Sequence, residues 1–490
     1  MWREVGKWGA RLLLGAAVLG LIWALGRTSL LYLEYNWKAV TFPYSIDYGE
    51  GPILDQVMHM AKLQNIYRPN PTEIPYTISN YPPLYLLVQT PFAMLFGPAY
   101  WYGRGISFLS ILAAAIFISL TLHAITKDWL ASTVAGLVLL AIPYILHWSP
   151  FCRVDSLALG VSWAGLYVLV RWPNNRKALI ASAALLTAAI YTRQSYALAA
   201  PFGAFVWLIS KKPRLQALKL AAWVAGIGLG VFLILMLVSK GGFYFNIVTS
   251  NVNQFWWNTV KDYGKAFWEH MPYLVVSSGL FILLAAFFRV RSWWLAAPYL
   301  LAATASAVTI GKSGSNVNYL FELSAGLAFM AGAILATTGK NQWTKALLIG
   351  LLAVQIANIY PWTRKDYYQW VMDRVTRDRG AITILQRMVH EAEGPVLADE
   401  FMGLVVLDNR QLVFQPFEFK QLSIAKVWDE TPFIQDLNAR KFGLILLYNP
   451  SNWDSQHERW TQNQLDAIYQ NYERVDIIAQ TMVLKPKNTP

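Results

Sequence analysis

The sequence predicts an all-α polytopic membrane protein of about eleven transmembrane helices, followed by a small external α/β domain. Three observations carry this reading. The 490-residue chain is 56% hydrophobic and only 14% charged, with a mean hydropathy of +0.34, whereas roughly a quarter of an average soluble domain is charged. Apolar runs long enough to cross a bilayer recur along residues 1–360. Charge also divides by region: residues 1–360 hold 26 Lys+Arg and 11 Asp+Glu, residues 361–490 hold 15 and 17. The net +13 therefore belongs to the membrane part, whose cytoplasmic loops are normally basic. This argues against nucleic acid as a partner and for the lipid bilayer.

At the N-terminus, Arg3, Lys7 and Arg11 precede the apolar run Leu12–Leu25. No small-residue cleavage site follows, so the segment reads as an uncleaved first helix. Spans are then expected at about 12–33, 104–125, 129–147, 157–171, 178–192, 196–209, 217–238, 272–289, 293–310, 319–336 and 344–360. The stretch "YPPLYLLVQTPFAMLFG", Tyr81–Gly97, is about one turn short of a span and is interrupted by Pro91. It reads as lying along the outer face. With it outside, the inner loops carry Lys127; Arg171, Arg176 and Lys177; Lys211, Lys212 and Arg214; Arg289 and Arg291; Lys340 and Lys345. The short outer loops then carry one base each: Arg153, Arg193 and Lys312. This bias places the N-terminus in the cytoplasm and the tail outside, in an inner (plasma) membrane. The domains expected are 1–360, with a first external loop at about 34–103, and 361–490. The aromatic loop 239–271 reads as an interfacial helix. In the tail, "GPVLAD" (394–399), "FGLILLYN" (442–449) and "QTMVLKP" (480–486) read as strands, and 366–392 and 462–472 as helices.

Cys152 is the only cysteine, which excludes an intrachain disulfide and a cysteine-based metal site. His59, His123, His147 and His270 show no metal-ligand spacing, and no nucleotide loop, HExxH or nucleophile elbow occurs. No cofactor is required by the sequence, although an external acid cluster is compatible with a divalent cation.

The unusual charges collect on the outer side. "FPYSIDYGEGPILDQV" (42–57) places Asp47, Glu50 and Asp55 within nine residues. Gly49 and Gly51 beside Asp47 would let its backbone approach a substrate closely. Each charge also has a plain alternative: loop acids that favour a helix start, Asp155 as an N-cap or ion pair with Arg153, and bases that touch lipid headgroups. Lys312 lies in "GKSGSNVNY", a loop with many N–H groups suited to an anion. Glu322, one turn into an apolar segment, needs a partner or a role. Acids and separated bases at a membrane surface suit a phosphate-bearing lipid: the bases hold the leaving phosphate and an acid takes a proton from an attacking hydroxyl.

An acid just after the first span, the "PPL" segment, the "R-x-D" of Arg153–Asp155, the external "TRQ" turn at Arg193 and an external C-terminal domain together resemble the GT-C superfamily. These are integral-membrane glycosyltransferases that use polyprenyl-phosphate sugars; aminoarabinose transferases and protein O-mannosyltransferases are similar in layout. The resemblance implies a GT-C-like domain in which Asp47 is catalytic, with Glu50 second and Asp155 in support. It implies Arg153, Arg193 and Lys312 as donor-phosphate ligands and Tyr48, Tyr81, Asn318 and Glu322 as substrate contacts. The donor would be a polyprenyl-phosphate monosaccharide, the acceptor a hydroxyl of a glycan, lipid or protein, and the transfer inverting. A lipid-linked saccharide flippase, or a glycan polymerase or ligase, stands as the alternative.

The odd number of spans places the C-terminus outside. Alkaline phosphatase fused after Pro490 should be active and a cytoplasmic reporter inactive; the reverse would mean that Tyr81–Gly97 crosses.

Overall fold

The computed structural model describes residues 2–339, 341–451 and 453–487. Lys340 and the side chain of Arg3 lie outside the described residues. Helices occupy the positions of all the expected spans. By length and composition six of them suffice to cross a membrane: Lys7–Thr41, Trp101–Thr126, Leu215–Val238, Trp293–Gly311, Val317–Thr337 and Gln342–Arg377. A seventh is the pair Trp257–His270 and Pro272–Phe287, if counted as one span bent by 97°. That bend lays the Trp-rich helix Trp257–His270 across the end of its neighbour. The expected span 129–147 is divided into Trp129–Ala141 and Pro143–Trp148, because Pro143 has no N–H to continue the hydrogen-bond ladder. Leu84–Phe96 is a helix of 13 residues, about 20 Å long at the α-helical rise, which is short of a hydrocarbon core of ~30 Å.

The tail holds a four-stranded sheet: β1 (Val396–Ala398), β2 (Leu444–Tyr448), β3 (Tyr472–Ile478) and β4 (Thr481–Pro486), in the order β1-β2-β4-β3. β1 and β2 are parallel; β4 runs antiparallel to β2 and β3. The sequence reading names β1, β2 and β4 but not β3. β3 is an edge strand exposed along most of its length, so "YERVDII" carries no apolar alternation that would announce it.

Two contacts tie the first external loop to this tail. Tyr76 forms a parallel bridge with Phe414, donating from its N–H to the Val413 carbonyl at 2.8 Å and accepting from the Gln415 N–H at 3.1 Å. Its ring sits edge-on to Phe414, Phe419, Trp428 and Phe433 inside the tail's own hydrophobic core. The helix Glu50–Ala61 packs on Met402–Leu407 through Gly51, where an added Cβ would come within 2.7 Å of the Gly403 nitrogen. Gly51 thus serves packing between helices and not, as the sequence suggests, an approach to substrate. The tail also joins the bundle covalently without a break, since one helical run extends from Gln342 to Arg377.

At the end of the bundle that meets the C-terminal domain, Arg104 is fully buried. Its guanidinium grips Glu50 through Nε–Oε1 at 2.8 Å and Nη2–Oε2 at 2.7 Å. It also donates to the carbonyls of Ala39 (2.8 Å), Phe42 (2.6 Å) and Tyr44 (2.6 Å). The Ala39 carbonyl is one of the last four of Trp2–Thr41, which have no α-helical donor of their own, and Phe42 and Tyr44 belong to the loop that follows. Glu50 in turn accepts from the N–H groups of Ile46 and Cys152, both at 2.7 Å. One ion pair therefore joins the first helix, the first loop and the Ser149–Val154 turn. Removing one member of such a pair leaves a buried unpaired charge. Arg104→Ala should destabilise the protein by about 3–5 kcal/mol, read as a lowered thermal midpoint in detergent, and Glu50→Gln should act in the same direction.

Candidate active site

The turn that Arg104 and Glu50 fix carries Asp47. Both hydrogen bonds to this carboxylate fall on Oδ2: the Gly49 N–H at 3.0 Å and Arg153 Nη1 at 3.2 Å. Oδ1 accepts none among the described residues. An added Cβ at Gly49 would occupy the place of the Arg153 guanidinium, so this glycine leaves room for an arginine beside Asp47 rather than for a substrate. Arg153 also donates from Nη2 to the Tyr81 hydroxyl at 3.1 Å. Burial raises the Asp47 carboxyl above its ordinary value against the opposing pull of Arg153, and Glu50 and Glu400 push it further up.

Asp47 faces a cavity of about 330 Å³. Of the residues expected at the site, Asp47, Tyr48, Tyr81, Arg153 and Lys312 line it. Tyr48 donates to Glu418 Oε2 at 3.0 Å and accepts from the Phe417 N–H at 3.1 Å. Lys312 donates to Asn251 Oδ1 at 3.1 Å. Its loop has fewer free N–H groups than the sequence suggests: Ser313 donates to the Gln254 carbonyl at 2.7 Å and Ser315 to the Lys312 carbonyl at 3.0 Å. Four buried polar atoms on the cavity residues have no partner: Arg153 Nε, Asn80 Oδ1, Gln194 Oε1 and Gln415 Nε2. Buried groups left this way are costly unless something fills the space.

Glu50, Asp155, Arg193, Asn318 and Glu322 do not line this cavity. Glu50 has both oxygens committed to Arg104 and two backbone N–H groups. Burial would raise its carboxyl, but Arg104 and those N–H groups outweigh burial and hold it below the ordinary range. Asp155 pairs with Arg193 and not with Arg153, which corrects the local ion pair considered from "R-x-D". It also accepts from Trp148 Nε1 at 3.3 Å and Asn318 Nδ2 at 3.2 Å. Arg193 is 3% exposed, donates to the Asn318 carbonyl at 3.3 Å and lies 4.3 Å over the Tyr319 ring. Asp155, Arg193 and Asn318 thus form one buried network behind the cavity wall, to which Gln194 and Tyr319 belong. Glu322 accepts from the Ser306 hydroxyl at 3.2 Å, the partner that an acid within a span requires.

The site also contains residues that the sequence did not single out. Glu418, Glu458 and Arg459 enter the cavity from the tail. Glu418 reads locally as an acid in the first turn of Pro416–Ile424, a common helix-start preference, and nothing in its segment signals a site. Among the described residues, no three His, Cys, Asp or Glu side chains are grouped as a metal site would need.

This bundle, with an acid-bearing first loop closed over by a C-terminal domain, is a GT-C-type fold. Three solved structures of GT-C glycosyltransferases share it. ArnT from Cupriavidus metallidurans bound to undecaprenyl phosphate superposes with a TM-score of 0.64 at 14% identity, over 94% of this chain and 98% of that one. The oligosaccharyltransferase AglB from Archaeoglobus fulgidus, in complex with an inhibitory peptide and a dolichol-phosphate, gives 0.51 at 12%, over 90% and 69%. The arabinofuranosyltransferase AftD from Mycobacteria gives 0.54 at 12%, over 95% of this chain and 40% of that one. No family model and no curated protein sequence matches the chain.

Arg153 opposes the burial that raises the Asp47 carboxyl. Arg153→Gln should therefore raise the Asp47 titration further, seen as a carboxyl infrared band that persists to higher pH and is missing from Arg153→Gln/Asp47→Asn.

Proposed function

We propose that the protein is a glycosyltransferase that moves a monosaccharide from a polyprenyl-phosphate donor to an acceptor hydroxyl on the outer face of the membrane. One observation carries the reading: a partly buried carboxylate with one free oxygen, beside an arginine with an unsatisfied N–H, faces a polar cavity next to an apolar cleft. That cleft, of about 580 Å³, is lined by Tyr191, Ala197, Pro201, Val224, Gly228 and Phe232 among others. Tyr191 and Gln194 flank Arg193 in a single turn, Tyr191 facing the cleft and Gln194 the cavity. A prenyl chain in the cleft would deliver its phosphate to the cavity at that turn.

In this reading Lys312 and Arg153 hold the phosphate, and the Asn80, Gln194 and Gln415 amides take the sugar hydroxyls. The acceptor oxygen attacks the anomeric carbon in line. As that C–O bond forms, the bond from the anomeric carbon to the phosphate oxygen breaks, and the electron pair leaves with the lipid phosphate. The acceptor's proton passes to Asp47 Oδ1, and the anomeric centre inverts. A base whose affinity for protons is raised by burial is closer to the optimum for neutral solution than an ordinary aspartate. Glu50 acts as a positioning residue that fixes the Asp47 turn. Asp155 and Arg193 hold the Gln194 turn and the Asn316–Tyr319 segment against each other. Residues 1–360 form the catalytic bundle and 361–490 an external domain that closes the cavity; the membrane is the inner (plasma) membrane.

Asp47→Asn should lower transfer at least about 10²-fold, the usual minimum for loss of a general base, while undecaprenyl phosphate still binds. Wild-type activity should be lost as pH falls through the Asp47 titration, because protonation removes the base, with a midpoint above the ordinary aspartate value. Asp55 is the control. It lies 3.6 Å from His59 in a separate cleft, burial pushes its carboxyl up to about 6, and Asp55→Asn should keep most activity. Lys312→Ala should weaken undecaprenyl phosphate binding in a direct titration, and unchanged binding would remove Lys312 from the phosphate site. Transfer by Asp47→Asn at the wild-type rate would place the base elsewhere.

A further inference from the structure

A second cavity, of about 390 Å³, is also lined by Asp47. The two cavities share Asp47, Tyr48, Trp148, Asn316, Trp453 and Arg459. The free carboxylate therefore sits at a junction, as the base of a two-substrate transfer should. The far wall of the second cavity is unusual in composition: no aliphatic side chain lines it, and every lining residue is aromatic, charged or polar.

The aromatic members come from three places. Tyr367 and Trp370 stand on the helical run that leaves the bundle, Tyr448 ends β2, and His147 ends the short helix Pro143–Trp148. The His147 ring lies 4.5 Å from Tyr367 and 5.4 Å from Trp370 between centroids. His147 is 7% exposed, and its Nδ1 has no hydrogen-bond partner. Trp370 is 46% exposed and offers its ring to the cavity. Charged groups stand between the rings. Arg374 donates to Glu400 Oε1 at 3.0 Å, Arg459 donates to Glu400 Oε2 at 2.8 Å, and Asp366 completes the edge. Tyr367, Trp370 and Arg374 recur once per turn. They fall in or beside two π-helical segments, Thr363–Tyr368 and Asp373–Arg377, a distortion that collects at functional sites.

We propose that this second cavity is the acceptor subsite and that it takes a saccharide, so that the hydroxyl attacking the donor belongs to a sugar ring. The proposal rests on the reading of Asp47 as the base. A sugar ring presents apolar C–H faces, which lie against aromatic rings, and a rim of hydroxyls, which need both donors and acceptors. The cavity supplies both: the Tyr367, Trp370, Tyr448 and Trp453 rings, and the His147 Nδ1, Asp366, Arg374 and Glu400 polar atoms. An acyl chain in the same place would strip water from five charged side chains and return no hydrogen bonds. The competing occupant is a peptide.

The test uses the full chain in lipid nanodiscs and saturation-transfer NMR. The probes are a panel of methyl glycosides and disaccharides of common hexoses and pentoses, and a panel of capped hydroxyl-containing tetrapeptides. At least one saccharide should receive saturation. Trp370→Ala should weaken its binding about tenfold, the scale of one lost aromatic contact, and His147→Phe, which keeps the ring shape, should also weaken it. Undecaprenyl phosphate binding, titrated in the same preparations, should be unchanged by both substitutions and weakened by Lys312→Ala. Saccharide binding that survives both substitutions overturns the proposal, and so does a result in which only peptides, or neither panel, bind. If undecaprenyl phosphate fails to bind the wild-type protein while saccharides bind and respond, the donor reading fails and the saccharide subsite stands.

Discussion

The structure depends on one buried ion pair. Arg104 and Glu50 are removed from water, where two unpaired charges would each cost several kcal/mol. They persist because every polar atom between them is used: a bidentate contact, three carbonyls on the arginine and backbone N–H groups, that of Asp47 among them, on the glutamate. One of the three carbonyls, that of Ala39, lies in the last turn of the first helix and the other two, those of Phe42 and Tyr44, in the loop after it, so the pair ties the end of that helix to the start of the loop. Cys152 N–H extends the same network into the turn before the next span. Asp47, three residues before Glu50, and Arg153, one residue after Cys152, are thereby set facing each other.

From this anchor follows the pairing of the remaining charges. Arg153 turns outward to Asp47, while Asp155 turns inward to Arg193. The two neighbours diverge because a helix begins at Asp155 and rotates its side chain away from the preceding turn. One pair borders the cavity and keeps a free carboxylate oxygen. The other is sealed and serves geometry: it brings Gln194 and Tyr319 to the cavity wall without exposing either charge.

The tail does more than cover the bundle. It contributes Glu418, Glu458 and Arg459 to one cavity and Glu400 and Tyr448 to the other, and the first loop contributes Tyr76 and Ile78 to the tail's core. Loop and tail therefore fold as mutual supports. Arg459 lies over the Tyr48 ring at 4.4 Å while pairing with Asp399 and Glu400, so the residue next to Asp47 is held from both sides. This coupling gives the cavity a fixed roof.

The sequence by itself determined the membrane class, the positions of the helices, three of the four strands, and Asp47 as an acid in the loop after the first apolar helix. These follow from local signals: apolar length, loop charge, and the placement of an acid just past an apolar run. Tyr48, Tyr81, Arg153 and Lys312 were legible for the same reason, as polar residues in segments between apolar runs. The tertiary structure alone decided which charges were spent. Glu50 and Arg193 look as available in the sequence as Asp47 and Lys312, yet distant partners bury them: Arg104, hidden at the start of an apolar span, and Asp155. It also decided that Gly49 and Gly51 admit an arginine and a helix, and that Glu418 and Arg459 belong to the site. Pairing of charges and the closing of a cavity depend on contacts between residues far apart in the chain, and periodicity and composition carry no record of these.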